Sequence, residues 1–357
     1  MPVQGTGRGK RKRTRASSGN TTLTDVAARA GVSLATASRV LNDSDRKVGQ
    51  EHRERVLRAA QELDYRTDLS AQAMARGMAP VLALLVSSID DPYFSAIAEG
   101  VAQSAHAHGV IVTIAITARE SEWELASLRL IRGQRPRAIL VSGSRVLDSP
   151  HNDALLAELR GFTDSGGRAI FLSQPVGGLG AVRPANESGA RELGAAIANL
   201  GYHKAAVITG SESLLTVAER TEGLRQGLAS LGGRITMVES DTFDRLGGYR
   251  SMRRLIESGR IADADVLCAG NDFMAVGAMT ALRDSGIEPG RDIAVTGFND
   301  IATAADVTPQ LTTVRFPLAE IGRRAADLAL DGSAPPTEDI SVPGEVILRA
   351  SCPRRTG

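Results

Sequence analysis

Two cysteines in 357 residues, Cys268 and Cys352, exclude a disulfide framework and offer no zinc-type spacing. Both read as small apolar core residues. No apolar run approaches the ~20 residues that a bilayer crossing takes. The basic N-terminus lacks the apolar stretch of a secretory signal after it, so the expected location is cytoplasmic, with no membrane partner. The five histidines (His52, His106, His108, His151, His203) are scattered and have no nucleophile beside them. A nucleophile elbow, a phosphate loop and a helical HExxH are all missing, and Gly177, Gly178 and Gly180 do not have dinucleotide-loop spacing. Neither catalytic residues, nor a metal, nor a cofactor is expected. Aromatics are scarce too, with 7 Phe, 4 Tyr and 1 Trp, so each one's placement carries weight.

The length suggests two or three folding units at roughly 100–200 residues each. Hydrophobic residues at 42% and charged residues at 23% fit a globular, soluble chain. Charge is unevenly spread behind a net of +1: residues 1–78 hold 15 Lys/Arg against 8 Asp/Glu, net +7, and residues 79–357 hold 27 against 33, net −6. A basic head on an acidic body is what a polyanion-binding protein shows, although a solvated basic tail gives part of the same asymmetry.

Residues 1–21 carry RGKRKRTR (Arg8–Arg15) among Gly, Ser, Thr and Asn without apolar periodicity, and are expected to be disordered. A phosphate-touching arm and an inert solubilising tail fit that run equally well. From Thr22 to Tyr65 the pattern turns helical. Asp25–Ala30 places Val26, Ala27 and Ala30 on one face; Gly31-Val32 makes a tight turn; Ser33 suits the N-cap of a second helix, Leu34–Leu41. A third helix, Gln50–Leu63, carries Val56, Leu57, Ala60 and Leu63 at helical spacing, with Gly49 as a tolerable N-cap. Two short helices joined by a Gly-bearing turn match a helix-turn-helix.

Beyond residue 80, β-branched runs alternate with amphipathic helices. The strand candidates are Val81–Ser87, Val110–Ile116, Ala138–Ser142, Ala169–Leu172, Ala205–Thr209, Ile235–Glu239, Val266–Ala269 and Ile293–Gly297, with a last one at Glu345–Ser351. Helical stretches between most of them argue for an α/β fold of two consecutive parallel sheets. Asn271-Asp272 and Asn299-Asp300 each follow a strand end, where such folds place ligands, and also suit an N-cap and a turn.

The string Thr22–Asp43, TLTDVAARAGVSLATASRVLND, closely resembles the helix-turn-helix of the lactose/galactose-repressor (LacI/GalR) family. The ordered residues Asp25-Val26-Ala27, Ala30-Gly31-Val32-Ser33, Thr36 and Ser38-Arg39-Val40-Leu41-Asn42 carry the likeness. It continues through Arg53-Glu54-Arg55-Val56 to Glu62-Leu63-Asp64-Tyr65. The resemblance implies that Leu34, Ala35 and Arg39 read bases in the major groove of double-stranded DNA, chemistry those side chains suit: Arg can bond guanine O6 and N7, and Leu or Ala can meet a thymine methyl. It also implies that Thr22, Ser33, Thr36, Ser38 and Asn42 approach the backbone, where short polar groups suit phosphate oxygens. Asp68–Gly77, DLSAQAMARG, stands in the family's hinge-helix position, with Met74 as the minor-groove wedge where Leu is usual, Asp68 in place of Asn and Thr67 in place of Pro. The loop from Asn42 to Val48 is one residue longer than usual.

The body resembles the family's periplasmic-binding-protein-like core through Asp91-Pro92-Tyr93-Phe94, Glu219-Arg220, Gly270-Asn271-Asp272, Gly297-Phe298-Asn299-Asp300 and Pro309-Gln310-Leu311-Thr312-Thr313-Val314. That likeness implies an effector held by Arg220, Asn271 and Asn299 and lined by Tyr93, Phe94, Phe171, Phe243 and Phe316. Asn299 departs from the usual Asp. Aromatic faces suit the C–H faces of a sugar. Ordinary core packing is the better reading for Phe298 and an equal one for Phe171, and an ion pair of Arg220 with Glu219 or Glu222 is the structural alternative.

The resulting domain map has a basic extension (1–21), a helix-turn-helix domain (22–66), a hinge (67–78) and a core (79–351). The core divides into a first subdomain, about 79–171 and 317–334, and a second, about 173–315 and 337–351. The expected function is a transcription regulator, a repressor whose affinity for a near-palindromic operator is controlled by a sugar or related metabolite between the subdomains, in the manner of an inducer or of a corepressor. Control by a protein corepressor, and a solute-binding protein of the same body fold, are the rivals. The chain ends at Gly357 without a heptad-bearing extension, so a homodimer is expected, with its face on the first subdomain by resemblance.

Overall fold

The structure, a computed structural model, describes residues 21–41, 48–66, 78–331 and 336–355. Asn42, the loop that follows it, the hinge segment with Met74, and the basic stretch before Thr21 lie outside the described residues. Two compact units divide the chain, residues 1–76 and 77–357.

The first unit contains α1 (Leu23–Ala30), α2 (Leu34–Leu41) and α3 (Gln50–Glu62). Thr22 and Asp25 form a capping box at the start of α1, each side chain bonding the other's backbone N–H, and Gly31 ends the helix at φ 63°. A small core of Val26, Ala27, Ala30, Ala37, Val40, Val56, Ala59 and Ala60 holds the three helices together. Leu57, expected inside, is 45% exposed. The inward face of α3 runs through Val56, Ala59 and Ala60, and the ~100° step per residue turns Leu57 away from it. Thr21, expected in the disordered extension, donates from Oγ1 to Leu63 O at 3.0 Å.

The second unit holds two parallel sheets. The larger takes β1 (Ala79–Val86), β2 (Ile111–Ile116), β3 (Pro136–Ser142), β4 (Arg168–Leu172), β5 (Gly180–Pro184) and β11 (Asp339–Val342), in the order β11-β5-β4-β3-β1-β2. Helices α4 (Pro92–Ala107) and α12 (Leu318–Asp331) cover one face, and α5 (Ser121–Gly133) and α6 (Asn152–Asp164) the other. The smaller sheet takes β6 (Lys204–Thr209), β7 (Arg234–Ser240), β8 (Val266–Ala269) and β9 (Ala294–Thr296), in the order β7-β6-β8-β9. It lies between α7 (Asn186–Asn199) with α8 (Leu215–Ala229) and α9 (Arg245–Glu257) with α10 (Asp272–Asp284). A short helix, α11 (Thr303–Asp306), leads to the ribbon of β10 (Thr313–Arg315) and β12 (Glu345–Ile347), which pair antiparallel. The central strands read as near-continuous apolar runs because both faces of each sheet are covered.

Two segments differ from the expected division. The expected division puts residues 173–184 and 337–342 in the second subdomain, whereas β5 and β11 pair parallel with each other on the edge of the first sheet, where β5 also joins β4. Strand β12 also stops at Ile347, short of the expected Ser351, because the Arg349 N–H turns to the Thr312 hydroxyl at 2.8 Å. Among the described residues no helix is long and apolar enough to cross a membrane.

Candidate functional site: an exposed recognition helix and an interlobe cleft

The first site is α2. Ser33 caps it, its Oγ accepting from Thr36 N at 3.1 Å and lying 2.8 Å from Thr36 Oγ1. With Ala37 and Val40 buried against α1 and α3, the opposite face turns outward: Ser33, Leu34, Ala35 and Arg39 are exposed, and Thr36 and Ser38 are half-buried. Leu34 at 50% exposed is an apolar side chain spent on the surface, where it contributes nothing to this small core. Thr22 is exposed beside α1. Arg55 of α3 fixes the turn before α2, its Nε donating to Ala30 O at 3.0 Å and Nη2 to Gly31 O at 2.9 Å. The helix is thereby held rigidly with an Arg and small side chains facing out.

The second site is a cleft of about 890 Å3 in the body. It is built almost wholly from segments after strand ends: Ser87 and Asp91 after β1, Thr117 and Arg119 after β2, Ser144 and Arg145 after β3, Ser173 and Gln174 after β4, Asn186 after β5. From the smaller sheet come Leu214 and Thr216 after β6, Phe243 after β7, Asn271 after β8 and Asn299 after β9. Carboxyl ends of parallel strands are where open α/β sheets bind ligands.

Arg220 of α8 organises the cleft floor. It is 8% exposed. Its Nε donates to Asn186 Oδ1 at 2.9 Å, Nη1 to Gly270 O at 2.7 Å and Nη2 to Asn299 Oδ1 at 3.0 Å. Its guanidinium carbon lies 4.1 Å from the centroid of the Phe298 ring. Burial lowers its pKa to about 10, which leaves it cationic at neutral pH. The structural alternative of an ion pair is not what forms: Glu222 pairs with Arg225, and Glu219 accepts from Asn186 Nδ2 and Gln174 Nε2, both at 2.9 Å. Asn271 caps α10, with Oδ1 accepting from Met274 N at 2.7 Å. Tyr93 and Phe94 meet edge to face with centroids 5.0 Å apart, and Phe243 is half-buried under the Arg119 guanidinium at 5.8 Å. Arg145 is held by Glu124 through a two-pronged pair at 2.9 and 2.6 Å. Ser173 Oγ and Arg145 Nε are buried with no partner among the described residues.

Of the expected effector residues, the structure brings Tyr93, Phe94, Arg220, Phe243, Asn271 and Asn299 into this one cleft. Phe171 and Phe316 do not line it. Phe171 is fully buried on the α5/α6 face of the first sheet, and Phe316 packs against Phe298 at 5.5 Å. Strand alternation directs Phe171 into the layer that covers the first sheet, and Phe316, just past β10, turns into the core beside Phe298. Sequence reasoning missed Asp91, Arg119, Arg145, Gln174 and Asn186. Asn186 was lost with β5, since a strand that was not recognised has no end to inspect, whereas the stretches after β1, β2, β3 and β4 were open to the same strand-end rule that singled out Asn271 and Asn299.

Beneath Asn271, Asp272 is 0% exposed, and burial raises its carboxyl to about 6. A carboxyl whose folded pKa lies above its unfolded value binds its proton more tightly when folded. Its ionisation therefore costs stability as pH rises from about 4 through about 6, by roughly 3 kcal/mol in all. Urea unfolding of Asp272→Asn at several pH values should show a flatter profile than wild type across that window. Parallel profiles would contradict the assignment.

An all-helical three-helix head with an outward α2 and a two-sheet body with a polar, aromatic cleft together define a ligand-binding DNA regulator. Comparison with known proteins agrees. The family described as "Bacterial regulatory proteins, lacI family" matches residues 22–68, and "Periplasmic binding protein-like domain" matches residues 195–352. The HTH-type transcriptional regulator GalS of Salmonella typhimurium is 34% identical over 317 residues, covering 88% of this chain and 90% of its own. A solved LacI-family transcriptional regulator from Silicibacter pomeroyi superposes with a TM-score of 0.77 at 26% identity, covering 94% of this chain and 100% of its own. The regulator CelR in complex with cellobiose superposes with a TM-score of 0.66 at 28% identity, covering 93% and 99%. The chain belongs to the lacI family of bacterial regulatory proteins and is a DNA-binding transcription regulator.

Proposed function

We propose that the protein is a cytoplasmic, homodimeric repressor that binds a near-palindromic operator through two α2 helices and is governed by a small polyhydroxylated effector, a sugar or related metabolite, held in the cleft. The observation that carries this reading is Arg220, a buried cation in the cleft floor whose hydrogen bonds among the described residues go to neutral oxygens, amid aromatic rings and amide side chains. A guanidinium so placed keeps donors for ligand hydroxyls, and Tyr93, Phe94 and Phe243 supply faces for a sugar ring. The likeness to CelR, solved with cellobiose, supports the same ligand class. The similar proteins are transcriptional regulators. The domain map given above, with β5 and β11 moved to the first subdomain, is the division under which effector binding between lobes would reset the hinges; a coupling of ~1–3 kcal/mol is enough for regulation.

Leu34, Ala35 and Arg39 are the proposed base readers, with Thr22, Ser33, Thr36, Ser38 and Asn42 at the backbone and Met74 as the hinge wedge. Arg39→Ala should cost ~1–3 kcal/mol of operator affinity and relax preference at one base position. Binding titrations on operator variants check it, and unchanged affinity and selectivity would remove Arg39 from the recognition set. Screening sugars and nucleosides for thermal stabilisation of the purified protein tests the effector reading, since a bound ligand stabilises by mass action.

A further inference from the structure

Asn299, which takes the Arg220 Nη2 hydrogen bond, sits in a backbone conformation that side-chain-bearing residues rarely adopt. Its φ is 113°, and Asp300 follows at 54°. Two successive left-handed residues persist only where their surroundings fix them. Here three successive backbone N–H groups of the turn are fixed: Asn299 N donates to Val314 O at 2.8 Å, Asp300 N to Thr313 Oγ1 at 3.3 Å and Ile301 N to Asp272 Oδ2 at 2.9 Å. The Thr313 hydroxyl in turn donates to Asp272 Oδ1 at 2.6 Å, and Asp272 N donates to Phe298 O at 3.1 Å. One fully buried carboxylate thus ties the turn after β9, the start of α10 and the strand β10 into a single knot. The fit is close, since a Cβ on Gly297 would stand 2.2 Å from Asp272 Oδ1.

We propose that Asp272 is a positioning residue for the effector site: it holds the strained Phe298–Ile301 turn so that the Asn299 amide meets Arg220, and through Thr313 it links that amide to β10. The residue touches no ligand itself. A protein with Asp272 altered keeps its cleft lining but loses the fixed angle between Asn299 and Arg220. This inference rests on reading Arg220 and Asn299 as effector groups, and its readout needs no effector, so the two can fail separately.

The test is hydrogen exchange at the Arg220 side chain of the full-length protein, followed by NMR. In the wild type the Nε and Nη2 hydrogens, bonded to Asn186 and Asn299, are expected to exchange slowly. Asp272→Asn keeps an acceptor for Thr313 but presents an amide donor to the Ile301 N–H, and Thr313→Val removes the hydroxyl. Each should speed Nη2 exchange at least ~10-fold, about 1.4 kcal/mol, while Nε–H, bonded to Asn186, stays protected. Thr313→Ser should restore the wild-type rate. In an Asn299→Ala background, Asp272→Asn should add nothing, because its route to Arg220 is gone. Nη2 exchange unchanged within twofold in the Asp272 or Thr313 variant would overturn the proposal. So would equal acceleration of Nε, Nη2 and the backbone amides of the second lobe, which marks a loss of general stability. If Asp272→Asn does not fold, the Thr313→Val and Thr313→Ser pair decides the matter.

Discussion

Arg220→Ala is expected to bind operator like the wild type and to ignore the effector. Arg220 places its guanidinium on Asn186, Gly270 and Asn299 at once, over the Phe298 ring, and truncation removes the cation from the cleft floor and leaves those three oxygens without their donor. Removing a buried charged donor to the ligand costs roughly 2–5 kcal/mol of binding, a drop in effector affinity of about 30-fold to several thousandfold. Operator titrations with and without a sugar found to stabilise the wild type measure the result. The substitution lies in the body, so affinity for bare operator should move little. An Arg220→Ala protein whose operator affinity still responds to that sugar at wild-type concentrations would place the effector elsewhere.

Gly322→Val is expected to cost about 4 kcal/mol of body stability, near the top of the range for single substitutions. Helices α4 and α12 approach so closely that a Cβ on Gly322 would stand 2.1 Å from Ile97 O, and one on Gly100 would stand 1.7 Å from Ala319 O. The obstacle in each case is main chain, so no rotamer change relieves it. The whole pair must separate, and Ile97, Val101, Ile321 and Ala325 lose their packing with it. Urea unfolding followed by circular dichroism checks this, and an unfolding free energy within 1 kcal/mol of wild type would show that the helices slide apart cheaply.

Much of this was legible in the sequence, and the reasons differ by element. The head was readable because its helices are short and the junction between the first two carries local signals, Gly31 and Ser33; the capping box of Thr22 with Asp25, which starts α1 at Leu23 and not at Asp25, was not read. Leu57 misled because a sequence stripe one residue wider than the true face looks the same on paper. The buried strands β1, β3, β6 and β8 announced themselves as apolar runs. Strand β5, Gly180–Pro184, did not, since it has one β-branched residue and a proline, and its pairing with β11 joins segments more than 150 residues apart. Asn271 and Asn299 were found both by their place after strands and by family likeness, and Arg220 by likeness alone, which also suggested Phe171 and Phe316. Those two fell beneath the cleft because likeness gives a position along the chain and not the direction of the side chain. The left-handed turn that aims Arg119 into the cleft left no mark in its sequence, Thr117-Ala118-Arg119.

Selection of duplexes from a random-sequence pool by the purified full-length protein, repeated with and without candidate sugars, bears on the account most directly. Enrichment of a two-fold-symmetric site, lost when Arg39 is replaced and altered in yield by a cleft-binding sugar, is the predicted outcome. A pool that emerges with no sequence preferred over random competitor, at low salt and with every sugar tried, would contradict it.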